Sequence, residues 1–216
     1  SHFGAKVIYP PTILPVYQKH IPLKIKNTFN PQAPGTLING NKQGIAHRQI
    51  KGISSIKGVS LITVQGIGMV GVTGISMRLF SSLAAKDINV ILISQASSEN
   101  SISIVVETEQ APLAQKAIEN EFKREIGLKQ INNISIDTEM SVVAIVGENM
   151  KHTTGIAGML FNCVGKNGVN VYAIAQGASE LNISFVIKEK DIKKALNVIH
   201  ESFFLSEYTR LNLFLA

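Results

Sequence analysis

Apolar and polar residues follow two rhythms along this chain, and the same order of rhythms occurs twice. Val59–Val64 and Ser141–Val146 are short runs rich in β-branched side chains, the mark of strands. Each run leads through a glycine-containing turn into apolar residues at helical spacing. These are Ile75, Leu79, Phe80 and Leu83 in the first instance and Ile156, Leu160, Phe161 and Val164 in the second. Positions i, i+4, i+5 and i+8 share one helix face, so a helix is predicted from about Thr73 to Lys86 and again over the matching stretch. Thr73 and Thr154 stand where an N-cap belongs. Asn89–Ser94 and Asn170–Ala175 predict second strands; Ser101–Glu107 and Asn182–Lys188 predict third strands. The turns between them, around Ser97–Glu99 and Ser179–Glu180, are polar. Pro112–Lys123 and Asp191–Phe203 read as second helices, opened by a proline and an aspartate. Shorter pre-strands, Gly52–Ser55 and Ile131–Ile136, precede each set.

Sliding the sequence by 81 positions superimposes the two sets without an insertion. Gly74-Ile75 falls on Gly155-Ile156, Leu79-Phe80 on Leu160-Phe161, Asn89 on Asn170, Gln95 on Gln176, and Phe122 on Phe203. Two copies of a strand–helix–strand–strand–helix unit, each with a closing strand, make the split βαβ or ferredoxin-like layout. The expected fold class is therefore α+β: two tandem βαββαβ domains, antiparallel sheets with helices on one face, leaving the other face or an edge for a partner. The domains are placed at 51–133 and 134–216. Ile131–Ile136 and Leu211–Leu215 could each close either unit, so interleaving of the two stays open. Residues 1–50 are rich in proline and turn residues, with one short apolar strand at Ile21–Ile25, too little for an independent core. Residues 39–49 read as an exposed linker.

Gly66, Gly68 and Gly71 have the G-x-G-x-x-G spacing behind an apolar strand, the setting that cradles a dinucleotide pyrophosphate. The repeat argues against that use, because Gly68 and Gly71 become Asn149 and His152 in the second copy. About 20 residues past Gly71 lies "NVILIS", and the first later carboxylate is Glu99, so the ribose-binding acid of that fingerprint is missing. The triplet reads as a flexible turn, and no cofactor is expected.

Composition narrows the partners. The formal net charge is +6, but the basic residues are scattered and not interleaved with aromatics, so nucleic acid is not an expected partner. Cys163 is the only cysteine, which rules out an internal disulfide and points to a reducing, cytoplasmic setting. It lies at helical spacing among Leu160, Phe161 and Val164, where a small packed side chain is expected rather than a nucleophile. The five histidines show no metal-ligand spacing, and no apolar run approaches the ~20 residues of a membrane span.

The repeat does offer a site for a small zwitterion. The starts of the first helices, Thr73-Gly74-Ile75 and Thr154-Gly155-Ile156, present unpaired N–H groups and a positive dipole end to a carboxylate. Four carboxamides, Asn89, Asn170, Gln95 and Gln176, can bind a hydroxyl or an ammonium without adding net charge. The plainer readings are caps for the threonines, turn residues for the asparagines and solvent-facing strand ends for the glutamines.

Residues 21–38, "IPLKIKNTFNPQAPGTLI", resemble the close of the amino-acid-kinase domain of aspartokinases. The two units resemble the paired ACT domains that follow it, most clearly in "LISQASSENSIS" and "AIAQGASELNIS". The glutamine in that segment is similar to the threonine-sensitive bifunctional aspartokinase–homoserine dehydrogenases, and "LNLFLA" resembles the first strand of their dehydrogenase domain. The resemblance implies a regulatory piece: the tail of a kinase domain plus linker (1–50), two ACT domains, and at 211–216 the start of a dehydrogenase. Both ends then read as cuts within a longer chain. Neither active site is implied, because the kinase's lysine-glycine-glycine segment is absent and the dehydrogenase's glycine loop would begin past Ala216. ATP and NAD(P) would belong to the missing domains only. The implied partners are a free amino acid, threonine or else lysine, sensed through Gln95 and Gln176, and a second copy in a homodimer or higher assembly. A ligand-free dimerisation module is the remaining reading.

Overall fold

Two strands far longer than the apolar runs predict organise the molecule. In the computed structural model, whose described residues are 8–39, 50–96, 100–147, 150, 153–177 and 181–205, strand β3 (Gly52–Gln65) fuses the first pre-strand with the strand behind it. Strand β6 (Asn133–Val146) does the same in the second copy. The two pair antiparallel over their whole length, from Gly52↔Val146 to Gln65↔Asn133. Each carries a bulge where the register shifts, marked by left-handed Gly58 (φ 68°) and Glu139 (φ 55°). A bulge reverses the inward–outward alternation. Ile53 therefore reaches the same side of the sheet as Ile62 and Val64.

Strands β4 (Leu92–Gln95) and β5 (Ser101–Glu107) extend the sheet on one side, β7 (Ala173–Gln176) and β8 (Asn182–Lys188) on the other. The order is β4-β5-β3-β6-β8-β7, antiparallel at every step. The third strands have their expected bounds, whereas the second strands begin three residues later than predicted. Asn133–Asp137 pairs with Gln65–Leu61 and so completes the first unit, while Gly52–Ile56 pairs with Val146–Val142 and completes the second. Each unit's fourth strand is the continuation of the other unit's first. Leu211–Leu215 lies outside the described residues.

Helices α2 (Ile75–Ala84) and α3 (Ala111–Glu121) cover the first half of the sheet. They bury Leu79, Ile118 and Phe122 against Ile62, Val64 and Ile104. Helix α3 matches the predicted Pro112–Lys123 to within two residues, and a short helix, α4 (Lys123–Gly127), follows it. Helices α5 (Ile156–Lys166) and α6 (Ile192–His200) repeat the arrangement over Val143, Ile145 and Phe185, with Phe161 edge-on to Phe185 at 5.6 Å. Both helical layers lie on one face, as the α+β expectation has it. The opposite face is not left free for a partner. Val59, Val105, Met140, Val142 and Val186 point there and are completely buried within the chain. The sheet curls until its edge strands β4 and β7 meet, and Ser94 Oγ donates to the carbonyl of Ile174 at 2.8 Å. The added twist at two bulges accounts for the curl.

Residues 1–48 form a separate unit. Its described part is helix α1 (Pro10–Gln18) and a hairpin of β1 (Leu23–Ile25) with β2 (Thr36–Ile38). No described side chain of this unit is buried, and Phe29 is 98% exposed.

The two units differ at one buried hydroxyl. Ser60 and its counterpart Ser141 are both fully buried. Ser60 shares a hydrogen bond of 3.0 Å with Thr108, but the counterpart of Thr108 is Glu189, whose carboxylate accepts from the Gly58 N–H instead. Ser141 Oγ has no partner among the described residues. Leaving such a group unpaired costs about 1–3 kcal/mol. Ser141→Ala is expected to raise the unfolding free energy by about 1 kcal/mol in a urea titration, and Ser60→Ala to lower it by a similar amount; equal signs would contradict this account.

Candidate effector-binding site

Each first helix begins where the chain turns left-handed. Gly74 (φ 87°) and Gly155 (φ 89°) occupy the N-cap positions of α2 and α5. A Cβ there would meet open space, so the demand for glycine is torsional and not steric. The first helical bonds run from Arg78 N–H to Gly74 O (2.9 Å) and from Met159 N–H to Gly155 O (2.8 Å). The N–H groups of the three residues before each donor point out of the helix end. Thr73 and Thr154, expected as N-caps, are displaced from that role. They sit one position outside, because the left-handed glycines take the N-cap positions, and neither helix has a side-chain capping bond.

Gln95 ends β4 and pairs in register with Ile102, on the side of the sheet that carries α2. The helix start and this amide meet in an open cleft of about 350 Å³. Val72, Gly74, Ser76, Met77 and Gln95 wall it above a buried floor of Met69, Ile75 and Ile102. In the second unit Gln176 ends β7 opposite Ile183, and Gly155 caps α5 ahead of Ile156. Its surroundings are smaller, with Ala157 and Gly158 in place of Ser76 and Met77. The side chains of Ile75 and Ile156 pack in the cores, Ile75 also flooring the cleft, so the polar groups these residues can offer a ligand are backbone ones. Asn89 and Asn170 lie past the opposite ends of α2 and α5. A ten-residue helix is about 15 Å long, and the structure does not bring them to the cleft.

The glycine triplet has a packing explanation. A Cβ on Gly66 would strike the carbonyl of Gln130 and the Cα of Ile131, and one on Gly68 would strike the Gln130 side chain. Gly68 N–H donates to Gln130 O at 3.0 Å, and Asn132 N–H to Gln65 O at 2.9 Å. The loop lies flat on residues 130–132 and passes through a 3-10 turn at Ile67–Met69 before α2 begins at Ile75. No helix follows directly to receive a phosphate. Gly66→Ala is expected to lower stability by about 2 kcal/mol through this overlap, measured as a shift in urea midpoint.

One residue beside the cleft has no warning in the periodicity. Arg78, on α2, reaches across to α3 and α4. Its Nε donates to Glu121 Oε1 at 2.7 Å, Nη1 to Glu125 Oε1 at 2.6 Å, and Nη2 to the Glu121 carbonyl at 2.9 Å. The guanidinium carbon sits 4.7 Å from the centroid of the buried Phe122 ring. The hydrogen bond from Arg78 holds the Glu125 carboxyl below its ordinary value of 4.5, and the two carboxylates raise the guanidinium's pKa further. The only visible signal was a mismatch in the repeat, where the counterparts of Arg78 and Glu121 are Met159 and Ser202. Because the folded pKa of Glu125 lies below its unfolded value, the pair stabilises the fold above about pH 4.5 and loses its contribution as pH falls through the folded value. Arg78→Met is therefore expected to cost about 1 kcal/mol near neutrality, and the gap to the parent should narrow as urea titrations are carried below about pH 4.5.

Cys163 is half-buried, donates to the Leu160 carbonyl at 3.1 Å, and has its thiol pKa pushed up by burial, as befits a packing residue. Among the described residues no group of three His, Cys, Asp or Glu side chains gathers to hold a metal, and no helix is long and apolar enough to cross a membrane.

The ACT-domain family matches residues 62–122 and 143–203, together more than half of the chain. A bifunctional aspartokinase/homoserine dehydrogenase of Haemophilus influenzae is 40% identical over 204 residues, 94% of this chain and 25% of its own length. The chloroplastic bifunctional aspartokinase/homoserine dehydrogenase 1 of Arabidopsis thaliana is 38% identical over 213 residues, 97% of this chain and 23% of its own. The crystal structure of Clostridium acetobutylicum aspartate kinase superimposes with a TM-score of 0.74 at 30% identity, covering 88% of this chain and 44% of that one. The chain thus spans about a quarter of the length of these curated relatives.

Proposed function

The chain belongs to the ACT-domain family in two tandem copies, and on that premise we propose that it is the amino-acid-sensing regulatory region of an aspartokinase in aspartate-family biosynthesis, of the kind joined to a homoserine dehydrogenase, with free threonine as its effector. The observation that carries this reading is the meeting of Gln95 with the open N-terminus of α2 in one cleft. The N–H groups of Ile75, Ser76 and Met77 suit the carboxylate of an amino acid. The Gln95 carboxamide suits the hydroxyl or the ammonium, and Val72 and Met77 suit the methyl group. Among the described lining residues there is no carboxylate. A lysine side chain would need one to offset the desolvation of its ammonium, so threonine is favoured. Gln176 and the start of α5 form the second sensing position on the same frame.

In this reading residues 1–50 are the tail of the kinase domain, 51–133 and 134–216 are the two ACT domains, and both catalytic activities, with their ATP and NAD(P), reside outside residues 1–216. The chain works in the cytoplasm as a homodimer; support for self-association comes from the exposed apolar side chains beside the cleft, Ile67, Met77 and Ile93. Effector binding shifts the arrangement of the ACT units, and the effect passes through residues 1–50 to the kinase with a coupling of about 1–3 kcal/mol.

Calorimetric titration of the chain with threonine, lysine and methionine tests the proposal. Threonine is expected to give saturable heat, and Gln95→Ala to weaken its binding by about 1–3 kcal/mol. Silence from all three amino acids would refute sensing and favour a ligand-free dimerisation module.

A further inference from the structure

Both walls of the cleft in the first unit are tied to one residue that does not line it. The carbonyl of Glu125 accepts the N–H of Gln130 at 2.8 Å and of Ile131 at 3.3 Å, which shapes the segment after α4. That segment supports the loop wall, through the Gly68 N–H on the Gln130 carbonyl and the close seating of Gly66 and Gly68. The carboxylate of Glu125 holds the helix wall, through Arg78 at 2.6 Å and 3.4 Å. Arg78 is the residue whose N–H makes the first hydrogen bond of α2, so its side chain anchors the turn from which the open N–H groups project. The loop carrying Met69 and Val72 and the helix start carrying Ser76 and Met77 are thereby linked through the Arg78–Glu125 ion pair, with Glu121 bracing the same guanidinium. Phe122, beneath the guanidinium, keeps that pair from swinging into solvent.

We propose that Arg78, acting through Glu125, is a positioning residue that holds the first cleft open at the width an amino-acid effector requires. The proposal rests on the sensing reading of the same cleft. Preformed walls spare a ligand the ordering cost of assembling them. Removing the tie lets the loop and the helix start drift independently, and affinity falls without loss of any ligand contact. The second unit, with Met159 in place of Arg78, has no such guanidinium tie and serves as an internal control.

The test uses Gln176→Ala as a background, so that threonine binding reports the first cleft alone. Arg78→Met removes the tie but leaves Glu121 and Glu125 without their partner, so Arg78→Met/Glu125→Leu, which also removes the less exposed of the two carboxylates, is measured beside it to recover stability. Threonine affinity is expected to fall about tenfold in both variants, while the melting temperature recovers in the double variant. Amide hydrogen exchange without ligand is expected to quicken over residues 66–77 and to stay unchanged over 156–166. A double variant that melts as the parent does and binds threonine with parental affinity would overturn the proposal. Absence of threonine binding in the Gln176→Ala background itself would instead overturn the sensing reading of this cleft and the proposal with it; unchanged exchange over 66–77 in Arg78→Met would overturn the positioning role alone.

Discussion

The antiparallel pairing of β3 with β6 is the constraint on which the rest of the structure depends. Their shared ladder, from Gly52↔Val146 to Gln65↔Asn133, gives each unit its fourth strand and makes one six-stranded sheet of two repeats. Neither helical layer could be completed alone, since the Ile134 and Ile136 side chains that pack under α3 belong to the strand that goes on to found the second unit. The bulges at Gly58 and Glu139 keep both sets of inward side chains on one face despite the length of the strands. The same bulges let the sheet curl and bury its other face.

Duplication preserved backbone geometry more faithfully than side-chain chemistry. Left-handed glycines at 74 and 155, glutamines at the ends of β4 and β7, and Ile75, Leu79 and Leu83 against Ile156, Leu160 and Val164 recur in both units. These are the positions that set a helix start, a strand end and a core face. The polar partners have diverged: Thr108 became Glu189, Ser76 became Ala157 and Arg78 became Met159 in the second unit. The result is one frame whose two matching helix starts are flanked by different side chains.

The glycine triplet shows how one spacing can serve unlike ends. In a dinucleotide-binding turn the glycines let backbone approach a pyrophosphate. Here Gly66 and Gly68 let backbone approach backbone, at Gln130 and Ile131, and of the three only Gly71, with its left-handed torsion (φ 70°), serves to tighten a turn.

The sequence by itself determined the repeat, the kinds and order of the main elements within it, the helix faces and the bounds of the third strands, because each is written in local periodicity that the 81-residue shift confirms twice. It also singled out Gln95 and Gly74, since a polar amide and a glycine retained in both copies stand out against apolar surroundings. Strand fusion, the curl of the sheet and the seating of Gly66 on Gln130 were decided only by the tertiary structure, because they depend on contacts between residues some 65 to 95 positions apart. The linkage of Arg78 to Glu125, 47 positions on, and the separation of Asn89 from the cleft by the length of α2 were likewise decided in three dimensions. An amide placed at either end of a strand looks alike in one dimension, and an arginine on a half-exposed helix face gives no sign of which carboxylates will fold within its reach.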